Sequence, residues 1–315
     1  MNINYLPRPD IVRALYNSYY LQRDTEEITA SSHWKEFGRK VKVCIDSNGN
    51  LISYKGYGFG DLQPTNALNR ALKYFCNLTY FIRLQHKKEI LTLIVESRVI
   101  IKKINSYLSY DCFRQICSLS VIRQYLKIDH REEFNILVIG DGFGFLSALL
   151  KKIYPNCKIT LLDLGKILLF QAINLQRIYP KQTHFLITDS FDADGVDFLY
   201  VPADKFMDIK NLKYRLMINI ASMQEMNYKT LNDYFALMRR SSAKDNLFYC
   251  CNRKHKILPG GEVINFSRYP WVNADRYLVD EVCPFYKYHF SSVFPFIHKF
   301  DGVFIHRLAN LDINT

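Results

Sequence analysis

Five consecutive residues, Gly140-Asp141-Gly142-Phe143-Gly144, are the part of this chain best suited to hold a small molecule. Glycine adopts positive φ readily and lets the backbone approach a ligand with no Cβ in the way. The four residues before the turn, Ile136 to Ile139, are apolar and mostly β-branched, as in a strand buried on both faces. Phe145 to Ile153 then has helical spacing, so the turn opens onto a helix start with unpaired N–H groups. The next apolar run, Lys158 to Asp163, ends in a carboxylate followed by Leu164. A carboxylate there accepts hydrogen bonds from the ribose hydroxyls of an adenosine. The dinucleotide fingerprint G-x-G-x-x-G would need a third glycine where this chain has Phe145. The G-x-G-x-G spacing therefore suits a cofactor without a pyrophosphate. A plain strand-to-helix turn would also satisfy the glycines taken alone.

These residues need a sheet to position them. Strands are predicted at 135–139, 158–162, 184–188, 215–221 and 246–251, with helices at 145–153, 165–178 and 227–240. The alternation points to an α/β fold with a parallel sheet covered by helices. Ligands of such sheets bind beyond the carboxyl ends of the strands. After the third strand, Asp189 and Ser190 are candidates to meet an adenine amino group. The fourth leads into Ala221-Ser-Met-Gln-Glu-Met226, offering Ser222 to a cofactor and Gln224 to a substrate. Glu225 is the first candidate base; a charge at the N-terminus of the helix beginning near Asn227 is the alternative explanation. Beyond the fifth strand, Asn252 is a substrate candidate. His255 is the second candidate base, or a surface histidine of a basic loop. Trp34, Tyr57 and Phe59 are candidates for an aromatic platform, or for ordinary core. Tyr286–His289 and Val303–Leu308 are expected to form an antiparallel hairpin at the sheet edge.

Residues 1–130 read differently. Pro9 to Tyr20 and 65–127 are helical in pattern, and a hairpin turns at Asn48-Gly49 between two short strands. This expected N-terminal domain carries 19 Lys and Arg against 11 Asp and Glu, net +8, of the +12 for the whole chain. Residues 131–315 form the expected cofactor-binding domain. The positive region would attract phosphorylated substrates, acidic lipid or nucleic acid, or simply be a solvated surface. Its sequence has no aromatic–basic RNA motif, so nucleic acid is the weaker expectation. The eight cysteines are scattered without a C-x-x-C pair, which suggests reduced thiols of a cytoplasmic protein and no zinc or other metal site. Ile90 to Ile104 is too short and too charged to span a bilayer. Neither a P-loop, an H-E-x-x-H, a Ser-His-Asp order nor the Asn-Pro-Pro-Tyr of base- and glutamine-methylating enzymes is present.

Taken together, Val138-Ile-Gly-Asp-Gly-Phe-Gly144, Leu161-Leu-Asp163 and Ile218-Asn-Ile-Ala-Ser-Met-Gln-Glu-Met226 resemble the sugar O-methyltransferases of bacterial surface-polysaccharide clusters. Tyr234-Phe235, Phe248-Tyr249 to Asn252, Ser32-His-Trp34 and Gly58-Phe-Gly60 extend the resemblance over most of the chain. It implies a Rossmann-like class I methyltransferase sheet with a mainly α N-terminal domain that covers the site. The implied cofactor is S-adenosylmethionine, and the implied substrate is a sugar hydroxyl on a nucleotide- or lipid-phosphate-linked saccharide. Two residues depart from the pattern. Val138 stands where the family's first motif has Glu, and Met223 replaces an aromatic residue. An RNA methyltransferase and a degenerate cofactor-binding subunit of a glycan-assembly complex are the rival readings; a dehydrogenase is disfavoured by Phe145.

Overall fold

The computed structural model describes residues 8–21, 31–40, 42–47, 51–55, 84–104, 107–187, 195–290 and 297–313, with single positions at 67, 71, 75, 77, 81 and 294. Its centre is an eight-stranded sheet in the order β11-β14-β8-β7-β3-β4-β6-β5. The strands are β3 (Asn135–Ile139), β4 (Lys158–Asp163), β5 (His184–Leu186), β6 (Phe198–Pro202), β7 (Tyr214–Ile220), β8 (Ser242–Arg253), β11 (Arg276–Val282) and β14 (Phe304–Asn310). From β8 to β5 every pairing is parallel; β14 runs antiparallel to β8, and β11 to β14. The chain leaves β3 toward β4 on one side and returns to β7 on the other. Such a reversal opens a crevice at the carboxyl ends of the strands, here between β3 and β7.

Alternate residues of β3 serve two cores. Ile136 and Val138 join an apolar cluster on one face, and Leu137 and Ile139 join the cluster on the other. The helices are α1 (Arg8–Leu15), α2 (Ser32–Lys40), α3 (Lys87–Lys103), α4 (Tyr110–Tyr125), α5 (Phe145–Ile153), α6 (Gly165–Ile178) and α7 (Tyr228–Arg240). Helices α1, α3 and α4 contribute Leu15, Ile90, Leu93, Phe113 and Ile116 to the same cluster as Leu149 of α5 and Leu169 of α6. The chain on either side of residue 130 thus packs into a common core. Helix α7 lies on the opposite face, with Leu231, Phe235 and Met238 fully buried.

One expectation is corrected and one strand is added. The predicted strand at 184–188 is present as His184–Leu186, at the sheet edge, and beside β4 lies a strand not predicted from sequence, Phe198–Pro202. Its residues Phe198 to Val201 are 4% exposed or less, as an interior strand requires. At the other edge β14 pairs with Arg276–Val282, whereas Tyr288–Phe290 (β12) pairs with Ile297–Lys299 (β13) in a separate ribbon. The early hairpin of β1 (Lys42–Ile45) and β2 (Leu51–Lys55) is present as expected. A third ribbon joins β9 (His255–Ile257) to β10 (Val263–Asn265).

Candidate functional site

The glycine turn leaves β3 with φ of 76° at Gly140, 61° at Gly142 and 81° at Gly144. An L side chain is strained at each of these. A Cβ on Gly140 would also lie 2.1 Å from Ser222 Oγ, so the turns after β3 and β7 touch there. Gly140 N donates to Leu162 O at 3.1 Å, tying the turn to β4. Asp141 bends back on α5, where its carboxylate accepts from Leu146 N at 3.1 Å and Ser147 N at 2.9 Å. It caps the helix start. Burial pushes its carboxyl up to about 6, against the opposing pull of those bonds. The Phe143 carbonyl is fixed by Asn174 Nδ2 at 3.0 Å.

At the end of β4, Asp163 accepts from Leu164 N at 2.8 Å and from Gln171 Nε2 at 2.7 Å. These bonds hold its carboxylate at the strand end, where Asp163 lines the crevice. A cavity of about 390 Å³ opens here, lined by Leu162, Asp163, Leu164, Ala203, Asp204 and Phe206 among others. Ala203 and Asp204 follow β6 directly; the expected adenine-site residues Asp189 and Ser190 lie outside the described residues. Tyr19 OH donates to Asp204 Oδ1 at 3.0 Å. A Cβ on Gly165 would come within 2.2 Å of the Tyr19 ring, so that glycine admits the N-terminal segment against α6.

The turn after β7 is held by side chains. Asn219 donates to Ile139 O at 2.9 Å and accepts from Met223 N at 3.2 Å and from Asn252 Nδ2 at 2.8 Å. Asn252 Oδ1 accepts from Gln224 N at 3.0 Å, and Gln224 Oε1 from Arg253 N at 2.8 Å. Ser222 Oγ donates to Ile139 O at 3.2 Å. Asn252, the expected substrate residue, is fully buried, lines neither cavity and joins β8 to the turn. Gln224 lines a second cavity, but its amide oxygen is committed to Arg253 N. Ser222 lines both cavities and contributes to this clasp as well.

A second cavity, about 290 Å³, extends from the glycine turn past Glu225 to Arg114, Arg253 and Phe300. Glu225 meets Lys256 Nζ at 2.6 Å and His33 Nε2 at 3.3 Å. Its backbone carbonyl accepts from Ser31 Oγ. Burial alone would raise the Glu225 carboxyl, but the hydrogen bonds and charges of His33 and Lys256 outweigh it and hold the group below the ordinary value. His255, the second candidate base, is exposed and lines neither cavity. Successive residues of a strand face opposite ways, so Lys256, its neighbour on β9, is the one that reaches the site. Trp34 lines both cavities; Tyr57 and Phe59 lie outside the described residues.

Several site residues carry no motif. His33 was legible only as part of Ser32-His-Trp34. Arg114 and Gln115 are internal to a helical stretch whose pattern signals packing alone. Phe300 and Tyr286 come from the irregular C-terminal region. Val138 is 2% exposed in the apolar cluster between sheet and helices. Among the described residues no group of three or more His, Cys, Asp or Glu is arranged to hold a metal, and no helix is long and apolar enough to cross a membrane.

No family model matches the sequence, and no curated protein matches it. Solved structures do. TehB from Haemophilus influenzae aligns at a TM-score of 0.40 and 10% identity over 62% of this chain and 61% of its own. Precorrin-6y C5,15-methyltransferase from Geobacter metallireducens GS-15 aligns at 0.38 and 11% identity, over 61% of this chain and 87% of its own. The cyclopropane synthase MmaA2 from Mycobacterium tuberculosis aligns at 0.32 and 16% identity over 44% of this chain. That match spans 42% of the cyclopropane synthase, less than half its length. The present chain is thus similar to these proteins over part of its length, and its fold class rests on the parallel-dominated strand order described above.

Proposed function

We propose that the protein is an S-adenosylmethionine-dependent methyltransferase acting on a sugar hydroxyl. The observation that carries the reading is the three-glycine turn at the end of the central strand. It stands beside a carboxylate at the end of the next strand, over two cavities that share Trp34, Asp163 and Ser222. The donors present fit the cofactor. Asp163 would take the ribose hydroxyls, with Leu162, Leu164 and Phe206 around the adenine and Asp204 at its polar edge. The glycine turn would face the amino-acid end.

When bound, S-adenosylmethionine supplies an electrophilic methyl group carried on a sulfonium. The protein's part is to place an acceptor oxygen in line with it, and positioning of this kind supplies much of the rate. Glu225 is ionised at neutral pH because its carboxyl is held low, so it acts as a fixed hydrogen-bond acceptor that orients the hydroxyl. Lys256 and His33 hold that carboxylate still. Trp34, on α2, closes the two cavities from the N-terminal side and covers the sugar. The absence of Asn-Pro-Pro-Tyr favours an oxygen over a base or amide nitrogen as acceptor. A role in cytoplasmic assembly of a cell-surface glycan follows from the sequence resemblance.

Calorimetric titration with S-adenosylhomocysteine tests the cofactor, with NAD in parallel and Asp163→Ala as control. Micromolar binding of the former alone, lost in the variant, is the expected result. Transfer of a labelled methyl group to nucleotide-sugars or lipid-linked saccharides then tests the acceptor. Binding with no turnover on any of them would instead indicate a cofactor-binding subunit.

A further inference from the structure

We infer that the wall of the 290 Å³ cavity formed by Arg114 and Arg253 around Phe300 is an oxyanion subsite, which takes a phosphate or carboxylate borne by the acceptor. The inference rests on reading this cavity as the acceptor end of a methyl-transfer site. Both guanidinium carbons lie over the Phe300 ring, at 5.3 Å for Arg114 and 5.6 Å for Arg253. Arg114 is also held between Tyr110 at 4.3 Å and Tyr286 at 4.2 Å. Tyr110 is itself anchored, its hydroxyl donating to the carbonyls of Phe285 and Tyr288. Stacking of this kind fixes the plane of a guanidinium and pre-organises its fork for an oxyanion.

The donors of these two groups exceed their partners. A guanidinium has five N–H donors. Among the described residues the side chain of Arg114 meets the acceptor Asp111, and that of Arg253 meets Asp301 at 2.9 Å. The Nε of each is buried with no acceptor. Buried donors left unmade are unfavourable, and a ligand that supplies acceptors relieves this. The charges are unequally compensated too. Lys256 is matched by Glu225 inside the cavity, whereas the partner of Arg253 is a carboxylate 92% exposed and therefore screened by solvent. Arg253 ends β8 and its backbone N–H is bound to Gln224, so an anion on it would bring the rest of the acceptor beside the turn that carries Glu225.

The full-length protein is titrated by calorimetry with glucose 1-phosphate, glucuronate and glucose, with and without S-adenosylhomocysteine. The expected result is that at least one of the two charged sugars binds while glucose does not. Which of the two binds identifies phosphate or carboxylate as the source. Arg253→Met should weaken that binding by roughly tenfold or more and leave S-adenosylhomocysteine affinity unchanged. Arg114→Lys, which keeps the charge and loses the planar fork, should weaken it as well if Arg114→Met fails to fold. Equal binding of all three sugars, binding of none, or full retention in Arg253→Met would overturn the inference. So would an anion that displaces S-adenosylhomocysteine but not 5′-methylthioadenosine, since the pair would then hold the cofactor's own carboxylate. Failure of S-adenosylhomocysteine to bind the unaltered protein would sink the cofactor reading instead, with the charged-sugar result standing separately.

Discussion

The turn after β3 and the turn after β7 face each other across one crevice and are built in opposite ways. The first has glycine at all three of its positive-φ positions, so the backbone reaches its shape without strain. In the second, Ala221 has φ 61° with no glycine present, and the shape is imposed by buried hydrogen bonds from Asn219, Ser222, Gln224 and Asn252. One turn leaves its backbone available to a ligand. The other spends its polar side chains on its own geometry and presents what remains, Glu225, in a fixed place. The lesson is that polar residues clustered after a strand mark a site without all being part of its chemistry.

The largest effect should come from the contact between the turns. Gly140→Ala places a methyl group 2.1 Å from Ser222 Oγ at a φ of 76°. Urea unfolding should show a loss of about 4 kcal/mol, combining overlap with backbone strain. Adding Ser222→Gly should restore more than half, leaving the roughly 1–2 kcal/mol cost of positive φ. A double variant no more stable than the single one would mean that the turns are not in contact. Next, Asn219→Ala should cost about 3 kcal/mol, because it leaves Ile139 O, Met223 N and Asn252 Nδ2 buried with a partner removed. If its cost stays below about 1 kcal/mol, the second turn is held by packing and the contrast fails.

Asp141 sharpens the comparison through pH. Its folded carboxyl, at about 6, titrates above its ordinary value of 3.8. The native state therefore binds more protons than the unfolded one between those values, and stability falls as pH rises through that window. This contribution is complete below about pH 4 and lost by about pH 7, a change on the order of 3 kcal/mol. In Asp141→Asn that part of the slope should disappear from unfolding curves measured between pH 4.5 and 7. An unchanged slope would assign it to other carboxyl groups. Glu225 has the opposite sign: its depressed carboxyl contributes stability that is present above its ordinary value and lost as acid protonates it. Asp163→Ala should act on ligand and on fold together, weakening S-adenosylhomocysteine by roughly tenfold or more and costing about 1–2 kcal/mol, because the buried Gln171 amide loses its acceptor.

The two turns were also unequally legible. Glycines and a terminal Asp163 announce backbone geometry, which is local, so the first turn, the flanking strands and helices α5 and α6 could be read directly. Arg114 belongs to the site only because α4 packs against the C-terminal segment that carries Tyr286 and Phe300, and Lys256 rather than His255 because β9 pairs in one register with β10. Such facts depend on contacts between distant segments. The strand at Phe198–Pro202 was missed for a related reason. His184-Phe-Leu186 has the same apolar character, and only pairing decides which of the two lies beside β4. Asn252 and Gln224 were identified as important residues, but whether a buried amide faces a ligand or a backbone cannot be read from its type.

The smallest effect separates the two designs most directly. Ala221 is the residue at which the second turn departs from what glycine would do, and a non-glycine residue at φ 61° costs about 1 kcal/mol or slightly more. Ala221 N is bonded to Cys251 O at 2.8 Å, so the backbone is already held in place and a glycine there has little left to disorder. Ala221→Gly should therefore stabilise the protein by about 1 kcal/mol in urea unfolding, the reverse of the usual outcome for a glycine substitution. S-adenosylhomocysteine affinity should not change, because the Asn219–Asn252 clasp still fixes Ser222 and Glu225. A loss of stability would show that the Ala221 methyl group, which lines the cavity, packs more tightly than it strains. The second turn would then owe its shape to apolar contact as much as to its polar clasp.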